Sequence, residues 1–181
     1  VEIHQPDGIN DAVQQIEHGL ASVLGAYRSM GRLYRGIIAP SLRQYVMLGD
    51  AASMTDNFIG DQSNSEYAQS KVQTNQPDDR WVFTEDNPDR ELLVAGRLAG
   101  TSRVLKEINP ELSRECLDVS LALWSNAKDK ERRLSNRIIA LTELILGTQD
   151  PLLIKELVEL KDRIINDLDR CGWMIGRVIH M

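Results

Sequence analysis

The sequence predicts a mainly α protein of antiparallel helical hairpins, with a short β-hairpin and a long polar loop. Apolar residues recur at helical spacing near the N-terminus and through most of the second half. Three Asn-Pro or Asp-Pro pairs, beginning at Asn87, Asn109 and Asp150, each place a capping side chain before a Pro at the first helical position. Between the helical parts, residues 49–80 are rich in Asp, Asn, Ser, Gln and Gly, which is typical of a long surface loop.

The first helix is predicted over residues 10–27, within a first segment of residues 1–30. Asn10 is a suitable N-cap, and Asp11 lies in the first turn, where a negative charge is favourable. Apolar residues then follow at helical spacing: Val13, Ile16, Leu20, Val23, Leu24 and Tyr27.

The second segment, residues 31–86, is predicted to hold the hairpin and the polar loop. The stretches "GRLYRGII" and "LRQYVML" flank an "APS" turn, and apolar and aromatic residues around such a turn indicate a short hairpin. After the loop, residues 81–84 predict a brief strand that leads to the next helix.

Four helices are predicted in the third segment, residues 87–181: residues 88–108, 110–125, 129–146 and 151–170. Only a few residues join successive helices, so we expect each helix to lie antiparallel to the one before it. No strict sequence repeat is visible, which argues against a regular solenoid. The arrangement is therefore either a bundle or part of a double-layered helical barrel.

The first of these four helices is expected to lie at the centre of the array. It carries five small residues: Ala95, Gly96, Ala99, Gly100 and Ser102. Small residues let neighbouring backbones approach closely, as a helix packed on several sides requires.

Composition fits one globular segment over residues 1–181, with 42% hydrophobic residues and no apolar run long enough for a membrane helix. The net charge is −6, and Lys and Arg are scattered among acids, which disfavours nucleic acid as a partner. Cys116 and Cys171 each lie in a helical apolar pattern, so we expect two buried free thiols rather than a disulfide.

No metal or cofactor site is predicted. The three histidines lie far apart without the spacing of zinc ligands. Asp50, Asp56 and Asp61 offer oxygen ligands for calcium, but they lack the regular spacing of a calcium loop, and a solvated loop is the favoured interpretation.

The stretch "DDRWVFTEDNPDREL" crowds six carboxylates and two arginines around Trp81 and one Phe. A Trp flanked by Asp and Arg is typical of a sugar site, because a pyranose ring stacks on the indole while its hydroxyl groups bond to the charged side chains. The alternative is that Trp81 covers the core beneath the long loop, and composition alone favours it. Asp86 and Asp89 are most simply charges at a helix start.

Four ordered segments carry a resemblance to a known family: "VEIHQPDGINDAVQQIEHGL", "GIIAPSLRQYVMLGDAASMTD", "DDRWVFTEDNPDRELLVAGRLAGTSRVLKEINPEL" and "DRCGWMIGRV". Together they resemble the middle of the catalytic domain of family 9 glycoside hydrolases, of the endoglucanase-related and exo-glucosaminidase-like kind. The resemblance implies an (α/α)6 barrel and a cellulase-like, inverting hydrolase that acts on β-1,4-linked glucan or glucosaminide. It also implies a secreted or periplasmic location and no cofactor.

The resemblance also implies residues of the sugar cleft. In the family, a Tyr-Val-x-x-Gly-Asp segment precedes an Asp-His-x-x-Trp run that lines the cleft. Here "YVMLGD" matches the first, and the second survives only as "DDRW". Asp79 and Trp81 are carried over as substrate-binding residues, with Arg80 where a His is expected. Glu85, just outside the next helix, is expected to face the cleft.

No catalytic residue is assigned within this chain. Inverting hydrolysis needs a carboxylate base and a carboxylic acid about 6.5 to 9.5 Å apart. The family takes its base from an Asp-Ala-Gly-Asp motif before the matched region and its acid from a Glu near the end of the domain, and neither motif is present. We therefore expect the parent protein to be an enzyme and this segment alone to be inactive.

Val1 begins within a polar segment that has neither a starting Met nor a signal peptide, so we expect a processed chain or a piece of a longer one. The partners would then be a β-linked carbohydrate and the remainder of the catalytic domain. The alternative is a non-catalytic helical scaffold or partner-binding module. An incomplete barrel predicts large exposed apolar faces on the helices that start at Pro88 and Pro151.

Overall fold

The structure is a computed structural model that describes residue 8 and residues 10–38, 50–54, 80–84 and 86–181. This part of the chain is mainly helical, as predicted. Its elements in order are α1 (Asp11–Met30), β1 (Tyr34–Ile38), β2 (Asp50–Met54), β3 (Arg80–Thr84), α2 (Pro88–Leu105), α3 (Pro110–Ala127), α4 (Leu134–Thr148), α5 (Pro151–Glu159), α6 (Lys161–Asn166) and α7 (Leu168–Ile175). None of the helices in these ranges is long and apolar enough to cross a membrane.

The chain forms two compact units. One contains Gly25–Asp86, and the other contains Val1–Leu24 together with Asn87–Met181. The first unit holds the three strands, and the second holds α2 to α7 with most of α1.

The strands form one antiparallel sheet in the order β1-β3-β2. Trp81 in the central strand β3 is paired with Ile38 of β1 and with Ser53 of β2. The strand predicted at residues 81–84 is therefore confirmed. The partner that the structure describes for β1 is β3, and the predicted second arm of the hairpin, residues 42–48, lies outside the described residues.

Strand β2 corrects the prediction that residues 49–80 form a loop, because Asp50–Met54 pairs with β3 along its whole length. The sequence "DAASM" lacks the β-branched and aromatic residues that identify strands. Pairing to the central strand overrides this weak local preference. Residues 55–79 of the predicted loop lie outside the described residues.

Side-chain caps begin three of the helices in the second unit, as predicted. Asn87 Oδ1 accepts a hydrogen bond from Arg90 N at 3.1 Å, and Asn109 Oδ1 accepts one from Leu112 N at 3.2 Å. Asp150 Oδ1 likewise accepts from Leu152 N at 2.9 Å. The caps satisfy backbone N–H groups that have no partner within the helix, and Pro follows each one.

Helices α2 and α3 form an antiparallel hairpin. Ser113 Oγ lies 3.1 Å from Ser102 Oγ and donates to the Ser102 carbonyl at 2.7 Å. Toward the other end of the pair, Ser120 Oγ donates to the Ala95 carbonyl at 2.7 Å. The residue numbers rise along one helix as they fall along the other, which confirms the predicted direction.

Helix α4 also packs on α2, but in parallel. A Cβ atom on Gly96 would lie 2.7 Å from Ile139 Cγ2 and 3.2 Å from the Ala140 backbone, while Gly147 lies beside Arg103. Since α3 runs antiparallel to α2, α4 lies antiparallel to its predecessor α3, as predicted, but it packs mainly on α2 rather than on α3. Because the small residues of α2 admit a close backbone, α2 carries α3 on one side and α4 on another, which confirms its central position.

The helix predicted at residues 151–170 is interrupted. The structure divides it into α5, α6 and the start of α7, with breaks at Leu160 and Asp167. No Pro or Gly lies at either break, and the apolar spacing continues through both. The sequence therefore predicted one continuous helix. The buried positions nevertheless persist across the breaks, at Leu153, Leu160 and Ile164.

The core of the second unit is mainly apolar. Its largest fully buried side chains include Leu92, Leu105, Leu123, Ile138, Leu141, Leu144, Ile145 and Met174. Cys116 and Cys171 are buried and free, as predicted. Burial, aided by the charge of Glu115, raises the pKa of the Cys116 thiol to about 11, so this thiol is a packing group and not a nucleophile at neutral pH.

Candidate functional site

The predicted cleft residues fall on the central strand of the sheet and beside it. Arg80 and Trp81 are the first two residues of β3, whereas Asp79 and Glu85 lie outside the described residues. In the register of the sheet, Arg80 and Trp81 lie opposite Met54 and Ser53 of β2.

In the second unit, Asp89 joins the starts of two helices. One of its carboxylate oxygens accepts hydrogen bonds from the backbone N–H groups of Arg132 at 3.2 Å and Arg133 at 3.0 Å. Asp89 lies in the first turn of α2, and Arg133 is the residue that precedes α4. The carboxylate predicted to be a simple helix-start charge thus also fixes the start of α4 beside that of α2.

A groove of about 670 Å³ opens next to this junction. Eight residues line it: Arg132, Arg133, Leu134, Ser135, Arg163, Asn166, Asp167 and Arg170. Four of them are arginines and one is an aspartate, although the chain as a whole carries a net charge of −6. We call it the arginine groove.

A second groove of about 410 Å³ lies on the other side of the same two arginines. It is lined by Asn87, Asp89, Arg90, Leu93, Arg132, Arg133 and Asn136. Because Arg132 and Arg133 line both grooves, their exposed side chains can reach either one.

Behind the arginine groove lies a buried ion network around Arg137. The Arg137 guanidinium donates to Glu156 at 2.7 Å and to Glu131 at 3.3 Å, and Asp129 lies 3.5 Å away. Its side chain is only 11% exposed, and that of Glu131 is 6% exposed. Burial lowers the pKa of the Arg137 guanidinium, but hydrogen bonds and charges from Glu156 and Glu131 outweigh burial and raise the pKa overall.

The network extends to three more side chains. Lys128 pairs with Glu156 at 3.1 Å, and Arg163 pairs with Glu131 at 2.9 Å. The cationic groups of Lys128 and Arg137 each lie 5.9 Å from the ring centre of the buried Trp124. These contacts connect α3, α4, α5 and α6, and the pair with Glu131 positions Arg163 at the wall of the groove.

A second buried carboxylate, Glu143 of α4, pairs with Arg103 of α2 and Arg177 near the C-terminus. Gly100 makes room for it, because a Cβ there would lie 3.3 Å from Glu143 Oε2. Both oxygens of Glu143 are thus used in ion pairs. The arrangement is structural, since no oxygen is left to act as a base.

Among the described residues, no group of three or more His, Cys, Asp or Glu side chains could hold a metal ion. The chemistry of this surface is therefore that of fixed guanidinium groups and backbone N–H donors. It suits the binding of an anion.

Sequence reasoning missed Glu131 and Arg137, because the run "DKERR" indicates a solvated face. A signal was present nonetheless: Arg137 falls between Leu134 and Leu141 on the apolar stripe of α4. A charged residue on such a stripe requires buried partners.

Comparison with protein-family models, with curated proteins and with solved structures finds no match to this chain.

Proposed function

We propose that this chain is part of a family 9-like glycoside hydrolase that acts on β-1,4-linked glucan or glucosaminide by inversion. The observation that carries the proposal is the ordered resemblance of four sequence segments, which are distributed between residues 1 and 178. The segment contributes a wall of an (α/α)6 barrel and part of the substrate cleft. The antiparallel α2–α3 hairpin is compatible with such a wall, since a barrel of this kind is built from helical hairpins.

In this proposal the chain binds sugar and does not move protons. Trp81 offers a ring for stacking a pyranose, and Asp79, Arg80 and Glu85 offer charged hydrogen-bond partners for its hydroxyl groups. The base and the acid of the reaction belong to the remainder of the catalytic domain. The isolated segment therefore binds oligosaccharide without hydrolysing it.

Exposed apolar residues support a partner on the C-terminal helices. They are Leu152, Val158, Ile165, Leu168, Trp173 and Ile179, and each is more than half exposed. Within α5 the exposed apolar residues are Leu152 and Val158, whereas the apolar side of α2 is buried against α3 and α4, so the predicted apolar face is wrong for α2. We propose that further helices of the same barrel cover the α5–α7 residues, because large exposed apolar patches mark interaction surfaces.

The test is binding of cellotetraose and of the glucosamine tetramer, measured by isothermal titration calorimetry. Trp81→Ala is expected to weaken the preferred sugar by about 1 to 3 kcal/mol, since stacking and apolar burial are lost. Trp173→Ala is the matched control: it removes the exposed tryptophan of α7, which lies in the other compact unit, and should leave sugar binding unchanged.

Three outcomes would contradict the proposal. If neither sugar binds, the chain has no cleft surface. If Trp81→Ala leaves the affinity unchanged, Trp81 belongs to the core. Release of reducing ends by the wild-type chain alone would mean that it holds its own acid and base.

The alternative function, a helical partner-binding module without chemistry, also draws on the exposed α5–α7 residues. The two proposals differ in the identity of the partner. Association with the flanking parts of a hydrolase domain, with recovery of glycosidase activity, favours the enzyme. Tight binding to an unrelated protein without any sugar affinity favours the module.

A further inference from the structure

We propose that the arginine groove binds a compact oligophosphate, through Arg132, Arg133, Arg163 and Arg170 around the start of α4. This inference rests on the charge and shape of the groove and is independent of the proposed sugar site.

The groove carries an excess of positive charge, although Arg163 is already paired with the buried Glu131. Its lining holds four guanidinium groups and one carboxylate, Asp167. That carboxylate lies 3.7 Å from Arg170 in an exposed ion pair, which contributes little. In the described part of the chain, the side chains of Arg132 and Arg133 make no ion pair.

The four arginines are held on different elements that meet around one space. Arg132 and Arg133 precede α4, Arg163 lies in α6 and Arg170 in α7. The backbone at Arg132 and Arg133 is fixed by the Asp89 carboxylate, and Arg163 is fixed by the buried Glu131. The backbone at Arg132 and Arg133 and the side chain of Arg163 are thus in place before a ligand binds, whereas the exposed side chains of Arg132, Arg133 and Arg170 become ordered on binding.

The backbone supplies further donors at the groove. Helix α4 has 15 residues, and its N-cap residue Arg133 makes no side-chain cap; the Asp89 carboxylate instead accepts from the N–H groups of Arg132 and Arg133, just before the helix. Leu134 and Ser135, its first two residues, line the groove. Their N–H groups lie at the positive end of the helix dipole, where an anion is favoured.

The lining also selects the kind of anion. Guanidinium groups bind phosphate and carboxylate oxygens through paired hydrogen bonds. The lining contains no aromatic side chain and one aliphatic side chain, Leu134, so it offers no surface on which a nucleobase could stack. A volume of about 670 Å³ is larger than one phosphate needs, and four separated arginines match an anion with several charged groups. A chain of two or three phosphates satisfies these conditions.

The test is titration calorimetry of the full chain with phosphate, pyrophosphate and tripolyphosphate at low ionic strength. We expect one tripolyphosphate per chain, with affinity that rises with the number of phosphates and falls with added salt. The double variant Arg132→Gln with Arg133→Gln should weaken tripolyphosphate binding at least about tenfold, because it removes charge-assisted hydrogen bonds. Both side chains are exposed, and circular dichroism melting should confirm that the variant folds.

The matched control is the double variant Arg97→Gln with Arg114→Gln. It removes the same charge from exposed positions on α2 and α3 that line neither groove, and should change the affinity less than about threefold. Equal losses in the two variants would overturn the site, because binding would then follow net charge alone. Absence of tripolyphosphate binding to the wild type would overturn it as well. Equal affinities for phosphate and tripolyphosphate would overturn the assignment to an oligophosphate.

Discussion

The contact between α2 and α3 and the contact between α4 and α5 are made by different physical means within one compact unit. The first is apolar and close: Ala95 and Ala99 are fully buried, and buried serines bond to the backbone of the facing helix. The second is ionic, with Arg137 shared by Glu131 and Glu156. Dispersion and hydrophobic burial hold the first contact, whereas charge pairing with a desolvation cost holds the second.

This difference separates the supporting part of the unit from the part that can bind. The contacts of α2 with α3 and α4 require small side chains on α2 and leave no room for larger ones. We therefore expect this part of the unit to support the rest. The ionic contacts hold charged side chains at the surface, and Arg163 belongs both to the network and to the arginine groove. We infer that the ionic side is where the unit meets ligands.

The largest expected effect is on the apolar side. Gly96→Val should lower the free energy of unfolding by about 3 kcal/mol, because its side chain would overlap Ile139 Cγ2 and press on the Ala140 backbone. Urea denaturation followed by circular dichroism measures the loss. Gly19→Val is the control, since a Cβ at the exposed Gly19 of α1 meets nothing within 4 Å, and it should change stability by less than about 1 kcal/mol. Equal losses would mean that α2 and α4 do not touch at Gly96.

A smaller loss is expected on the ionic side. Arg137→Met should lower the free energy of unfolding by about 2 kcal/mol, because two buried carboxylates lose their shared partner but keep Lys128 and Arg163. Urea is the suitable denaturant, since guanidinium salt would screen the charges. The control is Lys155→Met, which removes an exposed pair to Glu159 at 3.9 Å.

The control variant should change stability by less than about 0.5 kcal/mol, as is typical of exposed pairs along a helix. A stabilised Arg137→Met variant would show that burying the network costs more free energy than its charge pairs return. The apolar contact would then stabilise the unit, whereas the ion network around Arg137 would specify its conformation at a cost in stability.

The predictable features of this unit are those that neighbouring residues determine. The caps at Asn87, Asn109 and Asp150 were predictable because a capping side chain bonds to a backbone N–H two or three residues away. The close packing of α2 was predictable from its run of small residues. Glycine is unfavourable inside a helix, so Gly96 indicates that a neighbouring backbone lies close.

The features that the sequence did not predict depend on distant residues. The packing of α4 mainly on α2, rather than on the preceding α3, brings Asp89 to the backbone at Arg132 and Arg133, more than forty positions away. Strand β2 forms only because β3 supplies its partner. The arginine groove combines residues from the start of α4 with others from α6 and α7, so no short sequence motif predicts it. For the predicted cleft, the sequence placed Trp81 at the start of a strand over residues 81–84 and Arg80 just before it, whereas the structure includes both residues in β3.

The smallest expected effect is a difference between the alkylation rates of the two cysteines, one in the α2–α3 hairpin and the other in α7. Cys116 lies in α3 and Cys171 in the short helix α7, and both thiols are buried. Burial raises the pKa of each thiol, with Glu115 adding to the effect at Cys116 and Asp167 at Cys171. For Cys116, a pKa of about 11 against an ordinary 9.0 leaves about a hundredfold less thiolate at a given pH below both values.

Since the native thiols are unreactive, labelling proceeds through opening of the structure. Helix α7 has eight residues and exposes Leu168 and Trp173, so it should open at a lower free energy than α3, whose apolar side is buried on α2. We expect iodoacetamide at pH 8 to modify Cys171 before Cys116, as measured by mass spectrometry of timed samples. Cys116→Ser and Cys171→Ser variants assign each rate. In urea both thiols are equally accessible, so a rate difference that persists there would reflect the reactivity of the thiols themselves. Equal rates in the native protein would mean that α3 and α7 open in a single step.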